Sequence, residues 1–156
     1  MGPVTLSNLR LYYEECKDAT RSTCTGAKLP ANADCGGMSC YSAPGYGGAA
    51  GCTTQHLYLL EAYDYNYANA SGGPVPVTVR WTYVLNNPSG GGTKSHVSQT
   101  LAGPGSGSHA PDVANEFDLG LIAGQDGHAS FVLAWTDPNG ASRTASFPQN
   151  FYFNCG

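Results

Sequence analysis

Apolar and polar residues alternate along much of this chain, and the alternation has a period of two. Val77, Val79, Trp81, Tyr83 and Leu85 interleave with Thr78, Arg80, Thr82 and Val84, the pattern of a strand with one buried face. Phe117, Leu119, Leu121 and Ala123 repeat it, Gly124-Gln125-Asp126-Gly127 follows with turn chemistry, and Ala129, Phe131, Leu133 and Trp135 resume it. This order predicts a hairpin. Val132 and Ala134 make its second strand apolar on both faces, as expected of a central strand. Asp137-Pro138-Asn139-Gly140 predicts a second hairpin into Ala141–Phe147, with Pro fixing φ near about −65° and Gly taking positive φ.

Further strands are expected over Val4–Tyr13, whose alternation slips phase near Ser7-Asn8 and points to a bulge, and over Gln55–Tyr65, Lys94–Leu101 and Asn150–Cys155. No segment places apolar residues at i, i+3, i+4 and i+7 between capping signals, and none approaches the ~20 apolar residues of a membrane helix. Asn86–Thr93 and Ala102–Pro111 read as surface loops from their Gly, Ser and Pro content. Lys17–Thr54 holds four cysteines among small residues and reads as an excursion shaped by disulfides. Seven or eight short strands with turns about every ten residues predict a single all-β domain over residues 1–156. Its expected architecture is a two-sheet β-sandwich, immunoglobulin-like or jelly-roll-like, with a disulfide-stapled N-terminal excursion at residues 17–54.

Composition agrees. Only 12% of the 156 residues are charged, against 21 Gly, 10 Pro and 10 Tyr, so turns and aromatic pairs replace the Lys/Glu-rich surface of helical proteins. The net charge of −4 is scattered, which leaves no basic stripe for nucleic acid or anionic lipid and argues against both, as against membrane insertion. The six cysteines, Cys16, Cys24, Cys35, Cys40, Cys52 and Cys155, read as a disulfide set and place the chain in an oxidising compartment, secreted or at the cell surface, extracellular or periplasmic. No leader precedes Pro3, so any leader is expected to have been removed. Five cysteines lie in the first third of the chain, and parity sends Cys155 back to one of them. Cys16, at the end of the first strand, is the expected partner, with Cys24, Cys35, Cys40 and Cys52 pairing among themselves. Closing a loop of more than about 100 residues is worth on the order of 4–5 kcal/mol.

Tyr63, Tyr65 and Tyr67 fall on one strand face, interleaved with Asp64 and Asn66. Exposed rings stack on sugar C–H bonds, and carboxylates and amides bond sugar hydroxyls, so these five residues form the candidate ligand site. Cross-strand aromatic packing is the ordinary use of Tyr in a sheet and competes with that reading. Asp64 and Asn66, with Asp126 or Asp137 and Asn139 elsewhere, offer oxygens to calcium, the one cofactor the chain suggests. Cys52-x3-His56 and Cys35-x4-Cys40 approach zinc-ligand spacings, but an oxidising compartment favours disulfides. His56, His96, His109 and His128 are candidate bases, and Glu61, Asp64, Asp112, Glu116 and Asp118 candidate acids; no motif joins them. Ser106 and Ser108 lie in a Gly-Ser stretch, not on a nucleophile elbow. The expected function is a non-catalytic extracellular binding module, glycan first among its ligands. A structural subunit or repeat of a surface layer, adhesin or filament, contacting another copy of itself, is the alternative; a hydrolase is the third.

Overall fold

The computed structural model describes residues 4–16, 23–34, 39–42, 56–68, 73–86, 89–111, 117–121 and 126–154. Among them the chain forms β1 (Val4–Cys16), β2 (Ala31–Asp34), β3 (Ser39–Ser42), β4 (His56–Tyr67), β5 (Val75–Asn86), β6 (Ser89–Leu101), β7 (Gly105–His109), β8 (Phe117–Leu121), β9 (Asp126–Thr136), β10 (Ser142–Ser146) and β11 (Phe151–Asn154). No described segment is helical. One sheet runs β1-β4-β7, with β8 also on β4; the other runs β2-β3-β11-β9-β5-β6, with β10 also on β9. The two sheets pack face to face as a β-sandwich.

The inward positions of each strand carry the core. Val77, Val79 and Trp81 of β5 and Ala129, Phe131 and Leu133 of β9 are buried together, as their period of two requires. Trp81 lies 4.9 Å from Phe131 beside it and 6.0 Å from Phe117 of the opposite sheet, ring centre to ring centre. A second stack, Tyr13 on Phe151 at 5.4 Å, joins β1 to β11. Aromatic pairs at these separations add about 0.5–1.5 kcal/mol each beyond their buried area.

The expected bulge in β1 is present. Asn8 and Leu9 stand against Tyr63 alone, between the pairs Ser7↔Asp64 and Arg10↔Ala62. Asn8 takes φ 51°, a left-handed conformation that Asn tolerates. The hairpin at Asp137–Gly140 also forms: Gly140 has φ 92°, its N–H donates to Asp137 O at 2.8 Å, and β10 pairs with β9 from Ser142↔Thr136 onward.

Other expectations are corrected. Phe117–Leu121 and Asp126–Thr136 do not pair as a hairpin: β8 joins β4 in one sheet, while β9 lies between β5 and β10 or β11 in the other. The supposed loop at 102–111 contains β7, which pairs with β4 from Tyr63↔His109 to Tyr67↔Gly105. Gly107 leaves room for its partner, since a Cβ there would lie 2.8 Å from the Tyr65 hydroxyl oxygen. Residues 89–93, also read as loop, extend β6 along β5.

Cys16 is bonded to Cys24, not to Cys155. The reason is local. After β1 the chain comes back along the free edge of that strand, with Thr25 N–H donating to Glu15 O and Lys28 N–H to Tyr13 O, which sets Cys24 directly beside Cys16 in a β-bridge. The bridge spans 8 positions and is worth roughly 2.5 kcal/mol in the chain-entropy model, less than a long closure. Cys40 is disulfide-bonded too, to a cysteine outside the described residues; Cys35, Cys52 and Cys155 lie there. Non-reducing peptide mapping is expected to recover the Cys16–Cys24 peptide pair as a single species.

The start of β1 is held by the far end of the chain. The buried Asp137 carboxylate accepts from Val4 N–H at 3.1 Å and from Trp135 Nε1 at 3.2 Å, and pairs with Arg143. Burial alone would raise its pKa, but the Arg143 hydrogen bond, the Val4 N–H, the Arg143 charge and the Trp135 N–H together hold it below the usual carboxylate value. The folded carboxyl therefore binds its proton less tightly than the unfolded one. Its contribution is full above the unfolded value of ~3.9 and is lost as pH falls through the lowered folded value. Asp137→Asn is expected to cost on the order of 2 kcal/mol at pH 7, and the gap between the two proteins in urea melts should close as the pH is brought below about 4. A gap that stayed constant across that range would show that the charge contributes nothing.

Candidate functional site

The five predicted ligand residues sit together on the second half of β4, but they divide between its faces. Tyr63, Tyr65 and Tyr67 share one side, as the alternation demands, and it is the inner side. Tyr63 and Tyr67 are fully buried and Tyr65 packs against the core. Their rings complete the sandwich and form no surface platform. Tyr67 donates its hydroxyl to Gly73 O at 2.5 Å and Tyr63 to Ser98 Oγ at 3.1 Å.

Asp64 and Asn66 face outward. The pairing of β4 with β1 and β7 sets them in two rows across the sheet, Thr5–Asn66–Ser106 and Ser7–Asp64–Ser108. Adjacent members of a row are about 4.8 Å apart and the rows about 6.8 Å apart. All but Asp64 are exposed, and Asp64 is only half-buried. Asp64 accepts from Ser108 Oγ at 2.7 Å, from the Asn8 side chain at 3.1 Å and from Arg10 at 3.0 Å. The Ser108 and Asn8 hydrogen bonds lower its pKa, desolvation opposes them, and the Arg10 charge adds to the lowering. Arg10 supplies the positive charge beside this carboxylate, where calcium was expected to bind. Tyr12, half-buried, stands on the same face beyond Arg10.

Behind this face, toward the interior, lies a polar cluster built from three strands. Glu61 of β4 is 2% exposed. Ser98 of β6 donates to Glu61 Oε1 at 2.9 Å and lies 3.4 Å from His109 Nε2 of β7. His109 stacks on Tyr63 at 4.8 Å. The Nε2 atoms of His96 and His109 stand 3.9 and 4.0 Å from Glu61 Oε1. A bulge makes the convergence possible: Val97 opposes Thr78 and Gln99 opposes Val77, so Ser98 is the extra residue of β6. His96 and Ser98 point inward while Val97 is left exposed. Burial, opposed by the Ser98 hydrogen bond and aided by the Glu61 charge, raises the Tyr63 pKa far above that of a free phenol.

Three of the candidate acids and bases, Glu61, His96 and His109, thus meet. Ser98 was not among the candidates; its only signal is a polar residue in phase with His96. The others stay apart. His56 begins β4, His128 lies on β9 edge-on to Tyr152, and Ser106 and Ser108 lie on β7 in the outward rows. Asp126 begins β9, and Asp137–Asn139 form the β9–β10 turn. Asp118 is on β8, while Asp112, Glu116, Cys35 and Cys52 lie outside the described residues. Glu14, Cys16 and Cys24 also converge, but both sulfurs are consumed in the disulfide. Among the described residues no helix is long and apolar enough to cross a membrane.

Comparison with protein-family models, with curated proteins and with solved structures found no match.

Ser98→Ala removes both the donor to Glu61 and the acceptor for Tyr63 from a water-poor site. It is expected to cost about 1–3 kcal/mol, against less than about 0.5 kcal/mol for Ser106→Ala in the exposed row. Urea melts with unchanged slope and a lower midpoint for Ser98→Ala alone would establish the difference.

Proposed function

We propose that this chain is a non-catalytic binding module of an extracellular protein, and that its ligand is a glycan held on the outer face of the β1–β4–β7 sheet. The observation that carries this reading is the double row Thr5–Asn66–Ser106 and Ser7–Asp64–Ser108. Hydroxyl, amide and carboxylate groups repeat there at sheet spacing, and sugar hydroxyls both donate and accept, so each ring can bond several of these groups at once. Asp64 is oriented by three donors, which leaves its remaining lone-pair capacity directed at a ligand. Tyr12 offers an apolar flank for sugar C–H bonds. The net charge of the pair Asp64 and Arg10 is zero, which suits a neutral saccharide better than a polyanion. Disulfide bonding at Cys16, Cys24 and Cys40 supports an oxidising, extracellular setting.

The test combines a glycan array of plant, fungal, bacterial and animal sugars with NMR titration of the hits. Shifts are expected at Asp64, Asn66 and Ser108, and none at the buried Tyr63. Asp64→Ala, a change at the surface, should weaken binding at least about tenfold, the loss of a charge-assisted contact. An array without hits, or shifts confined to another face, ends the proposal.

A further inference from the structure

The sandwich is open on the side where β1 and β10 approach each other, and what can close it there is independent of the sugar reading. β10 pairs with β9. Ala141 O accepts from Asp137 N–H at 2.8 Å and Phe131 O from Phe147 N–H at 3.0 Å, on either side of the pair Arg143↔Trp135. Odd-numbered residues of this segment therefore bond β9, and the N–H and C=O groups of Ser142 and Thr144 point away from it. The same alternation governs the start of β1. Val4 turns its N–H to Asp137 Oδ1 at 3.1 Å and its C=O to Trp135 Nε1 at 3.2 Å, away from β4, so the main-chain groups of Leu6, two residues on, point the same way. Among the described residues no strand pairs with the outer side of β10, and none with the outer side of β1 over Val4–Leu6. Between these two edges lies a groove of about 370 Å³, whose walls include Leu6, Trp135, Arg143, Thr144 and Ala145.

We infer that this groove is a docking site for an extended peptide segment of a partner protein, added as a strand to the outer edge of β10 and carrying an acidic residue opposite Arg143. Cross-strand neighbours share a face, so Arg143 lies on the core-facing side with Trp135, and Ala145 with Leu133. The Nε of Arg143 is taken by the Asp137 carboxylate. Its side chain is nevertheless 45% exposed, and its Nη atoms meet no acceptor among the described residues. A guanidinium with a free pair of donors is matched by a carboxylate. Side chains two positions to either side of that acid point the same way, over Leu6, Trp135 and Ala145, where apolar residues suit them. The residues between them face water beside Ser142 and Thr144. Main-chain bonds to Ser142 and Thr144 supply affinity, and the groove supplies specificity. A second copy of β10 is the poorer occupant, because Ser142–Ser146 holds Arg143 and no carboxylate.

The experiment selects a displayed random-peptide library on the intact, oxidised chain, then titrates a synthetic copy of an enriched peptide. The expected result is saturable binding of one peptide per chain, an enriched sequence with Asp or Glu flanked at alternate positions by apolar residues, and NMR contacts between main-chain protons of the peptide and of β10, with shifts at Leu6 and Arg143. Replacing the acid of the peptide by its amide leaves the protein untouched and should weaken binding about tenfold. Thr144→Pro removes an N–H that only an added strand would use, on the open side of an edge strand where Pro is tolerated. It should weaken binding at least about tenfold with circular dichroism unchanged. The amide peptide keeps the test decisive if Thr144→Pro does not fold. A library without enrichment, equal binding of the acid and amide peptides, or binding that survives Thr144→Pro overturns the assignment. So does self-association of the chain that Thr144→Pro abolishes, which would make β10 a contact between copies.

Discussion

The antiparallel pairing of β1 with β4, sustained from Val4↔Tyr67 to Cys16↔His56, is the constraint on which the rest of the molecule depends. Side chains alternate faces along a strand, so this register decides which residues of β4 enter the core and which meet water. Leu57, Leu59, Glu61 and Tyr63 go in; Asp64 and Asn66 stay out. A slip of one residue would drive Asp64 between the sheets and strand Glu61 away from its partners. The bulge at Asn8 and Leu9 protects the register. Val4 and Leu6 are in phase with each other but out of phase with Leu11 and Tyr13, and the two sets share one face only because the bulge absorbs an extra residue.

The strands with a strong period of two were legible in the chain itself. β5 and β9 carry large apolar residues at alternate positions, and the burial that follows from this places them at the centre of their sheet. The phase slip in β1 and the turn at Asp137–Gly140 were equally visible, because both rest on backbone chemistry local to a few residues. What escaped was set by partners distant in sequence. β7 reads Gly-Ser-Gly-Ser-His and has no propensity of its own; it is a strand because it pairs along β4, where Gly107 leaves room for the Tyr65 hydroxyl. β8 and β9 look like two arms of a hairpin, and alternation alone is silent about which layer each arm joins. Parity of cysteines took no account of the chain returning along the edge of β1, which brings Cys24 to Cys16. At the sites, the tyrosines of β4 were assigned to one face correctly, and which face that was depended on the sheet packed against it.

The two acidic residues of β4 answer opposite problems of solvation. Glu61 has been taken out of water, and a buried carboxylate persists only where donors replace the lost hydration. Ser98, brought in by its bulge, is one such donor, and two imidazoles stand close by. Asp64 keeps much of its hydration, and its exposed pair with Arg10 adds little to stability. What the contacts to Asn8, Arg10 and Ser108 provide is fixed direction: a carboxylate with one geometry in place of many. A single strand thus holds a desolvated acid within the sandwich and an ordered one on its surface, three residues apart.

The contact between Val4 and Asp137 closes the sandwich across 133 positions. It makes the order of assembly asymmetric. β1 can align on β4 once residues up to 67 are present, yet its first residue finds its N–H acceptor only after the β9–β10 turn exists. During synthesis from the N-terminus, β1 keeps an unfinished edge until Asp137, 133 positions later, has been made. Non-local closure of this kind slows folding toward the millisecond-to-second range of β-sandwiches, and it leaves β1 exposed to other strand edges for that interval.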